Sequence, residues 1–148
     1  MIRAASREEL KKIVKMKLAM FREVGVEEEL AAKPREVILK YYQDLYDKDK
    51  MRHFVCEEGG GLVACAGGFI KNDFPHCFFE PGYYGFIGDV YTYPDYRRQG
   101  KAVRLTEKVV NWLKEKEVKE IRLFASEAGR AIYEELGFEA SDEMVLKL

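Results

Sequence analysis

The chain has 148 residues, 25 of them basic and 26 acidic, with 47% hydrophobic and 34% charged side chains. Its length predicts one domain, 1–148, able to bury a core of its own, and its composition excludes a disordered chain. The near balance of charge excludes a nucleic-acid surface as the main business, so any basic patch is local.

The three cysteines, Cys56, Cys65 and Cys77, match no zinc or redox spacing, and no other metal-ligand spacing stands out. Cys56 and Cys65 sit in apolar runs as small hydrophobes, which suits a reducing cytoplasm. The charged start, Met1 to Lys17, has no signal-peptide pattern. No apolar run approaches a membrane span, so neither a membrane nor a nucleic acid is expected as partner.

In chain order, Ile2 to Ala5 reads as a short strand. Ser6 and Glu9 form an S-x-x-E capping box, and Leu10, Ile13, Val14 and Phe21 recur at helical spacing, predicting a helix over about 6–24 that stops at Gly25. A second helix starts near Pro34, with Ile38, Tyr41, Tyr42 and Leu45 as its apolar stripe. Arg52 to Glu57 and Leu62 to Lys71 read as a hairpin around Gly59-Gly60-Gly61, the second arm interrupted by Gly67 and Gly68. The aromatic loop NDFPHCFFEPG leads to a strand over Tyr83 to Tyr93, ended by Pro94. A helix from Lys101, a strand over Lys119 to Ala125 and a short helix over Glu127 to Leu136 follow, the last stopped by Gly137. Phe138 to Leu148 reads as a final strand or hairpin arm. The strand–helix–strand unit over 83–125 implies one parallel crossover in a mostly antiparallel sheet.

The informative stretch is YTYPDYRRQGKAVR, Tyr91 to Arg104. Arg97, Arg98, Lys101 and Arg104 gather where a strand turns into a helix, with no acid among them. Gly100 allows close backbone approach, and a helix N-terminus offers free N–H groups and a positive dipole end. Together these features suit a pyrophosphate. The P-loop and G-x-G-x-x-G patterns are both absent, which excludes those two phosphate sites.

What is present is R-x-x-G-x-A at Arg97, Gly100 and Ala102, and then SEAGRAIYEELGF at Ser126 to Phe138. In these two motifs the chain resembles the GNAT superfamily of N-acetyltransferases. The first is similar to its pyrophosphate loop, [QR]-x-x-G-x-[GA]. The second is similar to N-x-x-A-x-x-x-Y-x-x-x-G-F, with Tyr133, Gly137 and Phe138 in place, Ser126 for the usual Asn and Gly129 for the usual Ala. The element order agrees over nearly the whole chain.

The resemblance implies an α/β (α+β) GNAT fold, a mixed, mostly antiparallel central sheet of roughly six to seven strands flanked by about four helices. It implies an acetyl-CoA-dependent N-acetyltransferase acting on a primary amine of a small molecule or a protein, by direct attack through a tetrahedral intermediate. A homodimer is compatible with it. The competing reading is a catalytically silent acyl-CoA-binding or regulatory domain. The resemblance places the coenzyme along the backbone of Val90, Tyr91 and Thr92 and over Arg97, Arg98, Gln99, Gly100, Lys101 and Ala102. Ser126 and Gly129 complete the coenzyme contacts. Arg104 is either a surface residue or a contact to the 3′-phosphate.

The resemblance also makes Tyr133 the general acid for the departing thiolate; otherwise it is a core aromatic against Phe138. An alkylammonium with a pKa near ~10 must lose a proton before it attacks. Asp89, counted on one strand face with Ile87 and Tyr91, is the candidate base if burial raises its pKa, or else a hydrogen-bonded structural carboxylate. His53, at the start of a strand, and His76, in the aromatic loop, are weaker candidates; neither has an obvious partner in sequence, and both are expected at the surface. Asp73, Glu80 and the aromatics of their loop shape an acceptor pocket for a cationic amine or plug the end of the core.

Overall fold

The computed structural model describes residues 1–26, 30, 32–73 and 82–148. Its elements run β1 (Ile2–Ala4), α1 (Leu10–Glu23), α2 (Pro34–Asp47), β2 (Met51–Glu58), β3 (Gly61–Asn72), β4 (Tyr83–Thr92), α3 (Lys101–Glu115), β5 (Ile121–Leu123) and α4 (Glu127–Glu135). The strands form one sheet in the order β1-β2-β3-β4-β5. All neighbours pair antiparallel except β4 and β5, which are parallel as the crossover requires.

The capping box at Ser6 is half visible in the hydrogen bonds, the Glu9 carboxylate accepting the Ser6 N–H at 2.9 Å. It closes a 3₁₀ turn, Arg7–Glu9, which feeds α1. Glu9 also holds Arg3 at 2.7 Å, tying β1 to the start of the helix. That Arg3 hydrogen bond lowers the Glu9 carboxyl to about 2.

Helices cover both faces of the sheet. On one face, Leu10, Ile13, Val14 and Met16 of α1 and Tyr42 of α2 pack on Val55, Cys65 and Tyr91. On the other, Leu105, Val109, Trp112 and Leu113 of α3 pack on Cys56, Ala64, Ala66 and Ile87. The period-2 alternation of the strands sends neighbouring residues into different cores. Tyr41 leaves the predicted stripe and stands 61% exposed.

Two glycines of β3 accept rings from both layers. A Cβ at Gly68 would lie 2.8 Å from Val109 and 3.0 Å from the Trp112 ring, and one at Gly67 would lie 2.7 Å from His53 Nε2. The interruptions in the apolar run are therefore close-approach positions.

The expected final strand is not there. Among the described residues the sheet has five strands, fewer than the six to seven expected, and residues 138–148 carry no strand. The tail's polar start, Glu139 to Glu143, gives no apolar face, and its apolar end stays in solvent, with Met144 93% and Leu146 83% exposed. Without a paired neighbour and a buried face such a segment gains nothing by extending.

Candidate active site

The site begins with an irregularity in β4. Cys65 pairs with Tyr91 and Gly67 with Gly88, so Asp89 and Val90 together oppose Ala66. This two-against-one count is a β-bulge, and Asp89 sits in it at φ +56°. The bulge changes strand parity. Ile87 enters the α3 core, whereas Asp89 and Tyr91 turn to the α1–α2 face. The expectation that Asp89 shares a face with Ile87 is corrected by that extra residue.

Asp89 is 4% exposed and fully engaged. Oδ1 pairs with the Lys17 ammonium from α1. Oδ2 accepts the Tyr42 hydroxyl at 2.6 Å and faces His53 Nε2 at 2.8 Å. The proton on His53 Nε2 follows from its contacts. The Tyr46 oxygen accepts the His53 backbone N–H at 2.9 Å and lies 2.9 Å from Nδ1, while the Asp89 carboxylate at Nε2 can only accept. Nε2 then carries the proton that it donates to Asp89.

Burial pushes the Asp89 carboxyl up, but the His53 hydrogen bond and the Lys17 charge outweigh it and hold the group below the usual carboxylate range. The raised pKa expected of a base is thus reversed, because burial came with partners. Burial, and then the charge of Asp89, push the Tyr42 phenol up. Burial also raises Tyr46 and the Cys65 thiol. His53, expected at the surface, is wholly buried in this network.

On its other edge, β4 loses its neighbour β5 just before the bulge. The parallel pairing with β5 ends at Ile87 and Leu123, whereas β4 continues to Thr92. Among the described residues no strand therefore pairs with that side of β4 over residues 88–92, where the Thr92 carbonyl is taken by the Arg97 side chain.

This unpaired edge leads into the loop before α3. A 3₁₀ turn, Pro94–Tyr96, precedes Arg98 at φ +62° and Gly100 at φ +72°. The first α3 hydrogen bond runs from the Arg104 N–H to the Gly100 carbonyl, so the N–H groups of Lys101, Ala102 and Val103 have no partner within the helix. A Cβ at Gly100 would meet nothing within 4 Å, so the loop faces open space and its glycine is needed for the backbone angle.

The four cations of this loop are not equivalent. Arg97 donates to the Thr92 carbonyl and to Glu23, each at 2.7 Å. Lys101 is 4% exposed and bonded to Gln99 at 2.5 Å and Glu58 at 2.9 Å. Arg104 folds back on the carbonyls of Gln99 and Gly100. Only Arg98 has a side chain without a protein partner among the described residues. Glu23, which sequence reasoning missed, fixes the loop, since it also accepts the Tyr91 hydroxyl at 2.7 Å. These two hydrogen bonds lower the Glu23 carboxyl, and burial with the Glu23 bond raises Tyr91 to about 12. Nothing in the local sequence pairs Glu23 with a loop 74 positions away.

The second motif forms α4. Ser126 is its N-cap, its Oγ accepting the Gly129 N–H at 3.1 Å. A Cβ at Gly129 would lie 3.1 Å from the Tyr133 ring and 3.3 Å from Ser126 Oγ, so the glycine lets that ring rest against the cap. Tyr133 meets Phe138 edge-to-face at 6.1 Å. Burial raises its phenol, which keeps it protonated at neutral pH.

Asp89 and Tyr133 face different spaces. Tyr133 lines a cleft of about 1340 Å³ around β5, shared with Phe124, Arg130 and Phe138. Asp89 lines a smaller cavity of about 380 Å³ between α2 and the sheet. Lys71 and Phe86 border both. Asp73 is engaged with Arg122 at 2.9 Å, while His76 and Glu80 lie outside the described residues.

β4 thus carries a bulge and a run without a β5 partner, and a glycine turn opening a helix follows it. The Acetyltransferase (GNAT) family model matches residues 18–138, and the chain belongs to that family. Among solved structures, a predicted acetyltransferase from Clostridium acetobutylicum, crystallised with acetyl-CoA, is 25% identical, with a TM-score of 0.89 over 100% of this chain and 95% of that one. An aminoglycoside 6′-N-acetyltransferase from Acinetobacter haemolyticus is 19% identical, with a TM-score of 0.72 over 100% and 97%. An aminoglycoside N-acetyltransferase in complex with CoA is 18% identical, with a TM-score of 0.76 over 100% and 93%. Among curated proteins none matches the chain.

Proposed function

We propose that this enzyme transfers the acetyl group of acetyl-CoA to a primary amine by direct attack. The observation that carries this reading is the unpaired β4 edge over residues 88–92, running into the Gly100 turn and the free N–H groups of α3. The pantetheine arm lies along Val90, Tyr91 and Thr92 as an added strand. The pyrophosphate rests on the backbone of Gln99, Gly100, Lys101 and Ala102, with Arg98 as its side-chain cation. Arg97 and Lys101 act by fixing the loop through Glu23 and Glu58. Ser126 and Gly129 seat α4 beside the coenzyme.

The chemistry balances as follows. The neutral amine nitrogen attacks the thioester carbon, and a backbone N–H at the bulge stabilises the oxyanion, worth ~3–4 kcal/mol. The C–S bond breaks, and Tyr133 donates its proton to the leaving thiolate. The nitrogen loses its extra proton to solvent, and the Tyr133 phenolate regains one from solvent. Asp89, held low by its partners, stays an anion and positions Lys17 rather than taking that proton. The test is free-thiol release from acetyl-CoA with a broad amine panel. Transfer to at least one amine class is expected; binding of acetyl-CoA with no transfer to any would leave a silent coenzyme-binding domain.

A further inference from the structure

The cavity that reaches Gly88 and Asp89 opens at the residues where the proposed reading places the thioester, so an acceptor enters through it. Its walls are apolar, built by Ile38, Phe69 and Phe86 with Tyr41 at the mouth. Among the described residues its charged groups are Lys17, Lys71 and Asp89, one positive charge in excess. The Asp89 charge is already committed to Lys17 and His53. Lys71 has no ion-pair partner among the described residues, and its ammonium lies 3.8 Å from the centroid of the Phe86 ring. Burial, and then the Lys17 charge, lower its pKa. Asp73, two residues on, is bound to Arg122.

The cavity therefore offers an apolar body site with a net positive lining. That lining opposes a polycationic amine, since like charges in a partly desolvated site repel. It favours an acceptor whose anion meets Lys71, and it shifts an incoming ammonium toward its neutral, nucleophilic form. From this geometry we infer that the acceptor is an amine bearing a carboxylate and an apolar side chain, an apolar amino acid, with Lys71 as the carboxylate anchor. The inference rests on the transfer reading above for the position of the amine, but the anchor itself is a binding site and can be tested without turnover.

The experiment is calorimetric titration of the CoA-saturated protein with L-phenylalanine and L-leucine against L-phenylalaninol and L-leucinol, in which an uncharged hydroxymethyl group replaces the carboxylate. The acids are expected to bind about 10- to 150-fold more tightly, the range of one hydrogen bond to a charged group. Lys71→Gln should bring the ratio near unity, and Lys71→Arg should keep most of it. Equal binding of acids and alcohols, no binding of either, or a ratio indifferent to Lys71→Gln would overturn the assignment. Thiol release followed in parallel separates the two readings. Preferred binding of the acids without acetylation would sink the transfer reading and leave the anchor standing. Acetylation of acids and alcohols at equal kcat/KM would do the reverse.

Discussion

His53 on β2 reaches across the central strand to Asp89 on β4, with Nε2 2.8 Å from Oδ2, and the strand between them offers only a hydrogen at Gly67. His53 and Gly67 are paired in register, and Gly67 in turn pairs with Gly88, next to the bulge. Three strands are thus joined by one side-chain bond that passes over a missing side chain. Lys17 and Tyr42 complete the network from the helices, so the bulge is held from both layers of this core.

Gly67→Ala puts a methyl group 2.7 Å from His53 Nε2. The ring is wholly buried and held at both nitrogens, by Tyr46 and Asp89. The substitution should cost about 1–3 kcal/mol, the usual penalty of overpacking, measurable as a lower denaturation midpoint. Wild-type stability would show that the ring shifts freely and that the network is loose.

Asp89→Asn removes the charge that compensates Lys17 inside the fold. Breaking a buried ion pair of this kind costs about 3–5 kcal/mol, so a large loss of unfolding free energy is expected at neutral pH. A loss below about 1 kcal/mol would mean that the pair contributes little.

The same pair sets a pH dependence. The folded-state pKa of Asp89 is depressed, and that of Glu9 falls to about 2. Both contribute stability that is present above the unfolded carboxylate range, near ~4, and is lost as pH falls through the folded values. Unfolding free energy should therefore drop between about pH 4 and pH 2. The Asp89→Asn protein should show a shallower drop. Equal slopes in the two proteins would contradict the assignment.

Tyr133→Phe removes one hydroxyl while keeping the edge-to-face contact with Phe138. If the phenol protonates the leaving thiolate, kcat should fall about 10²–10⁴-fold. Acetyl-CoA affinity and stability should stay near wild type, since the lost interaction forms in the transition state. An unchanged kcat, with chemistry shown to be rate-limiting, would make Tyr133 a packing residue.

Local signals in the sequence were enough for most elements and for both motifs. The Ser6–Glu9 box, Pro34, Gly25 and Gly137 act within a turn of where they stand, so their effects show in sequence. The bulge at Asp89 does not. Counting alternate residues from Ile87 assumes a regular strand, and one extra residue sends Asp89 to the other face. Nor does charge alone reveal its own use. Lys101 and Arg97 read as phosphate cations until Glu58 and Glu23, distant in sequence, turn out to hold them. His53 looked like a surface residue because its partners, Tyr46 aside, come from other elements across a glycine. Residues 138–148, expected as a final strand or hairpin arm, carry no strand, because extended structure also needs a neighbour.

In the proposed reading acetyl-CoA sits where the unpaired edge of β4 meets the Gly100 turn. Calorimetric titration of acetyl-CoA into Gly100→Val tests it most directly. Gly100 stands at φ +72° with open space where a Cβ would point, so valine both strains the turn and fills the approach to the α3 N–H groups. A folded Gly100→Val protein should bind acetyl-CoA at least about 10-fold more weakly, the equivalent of one lost charge-assisted hydrogen bond. A wild-type dissociation constant in that protein would place the coenzyme elsewhere.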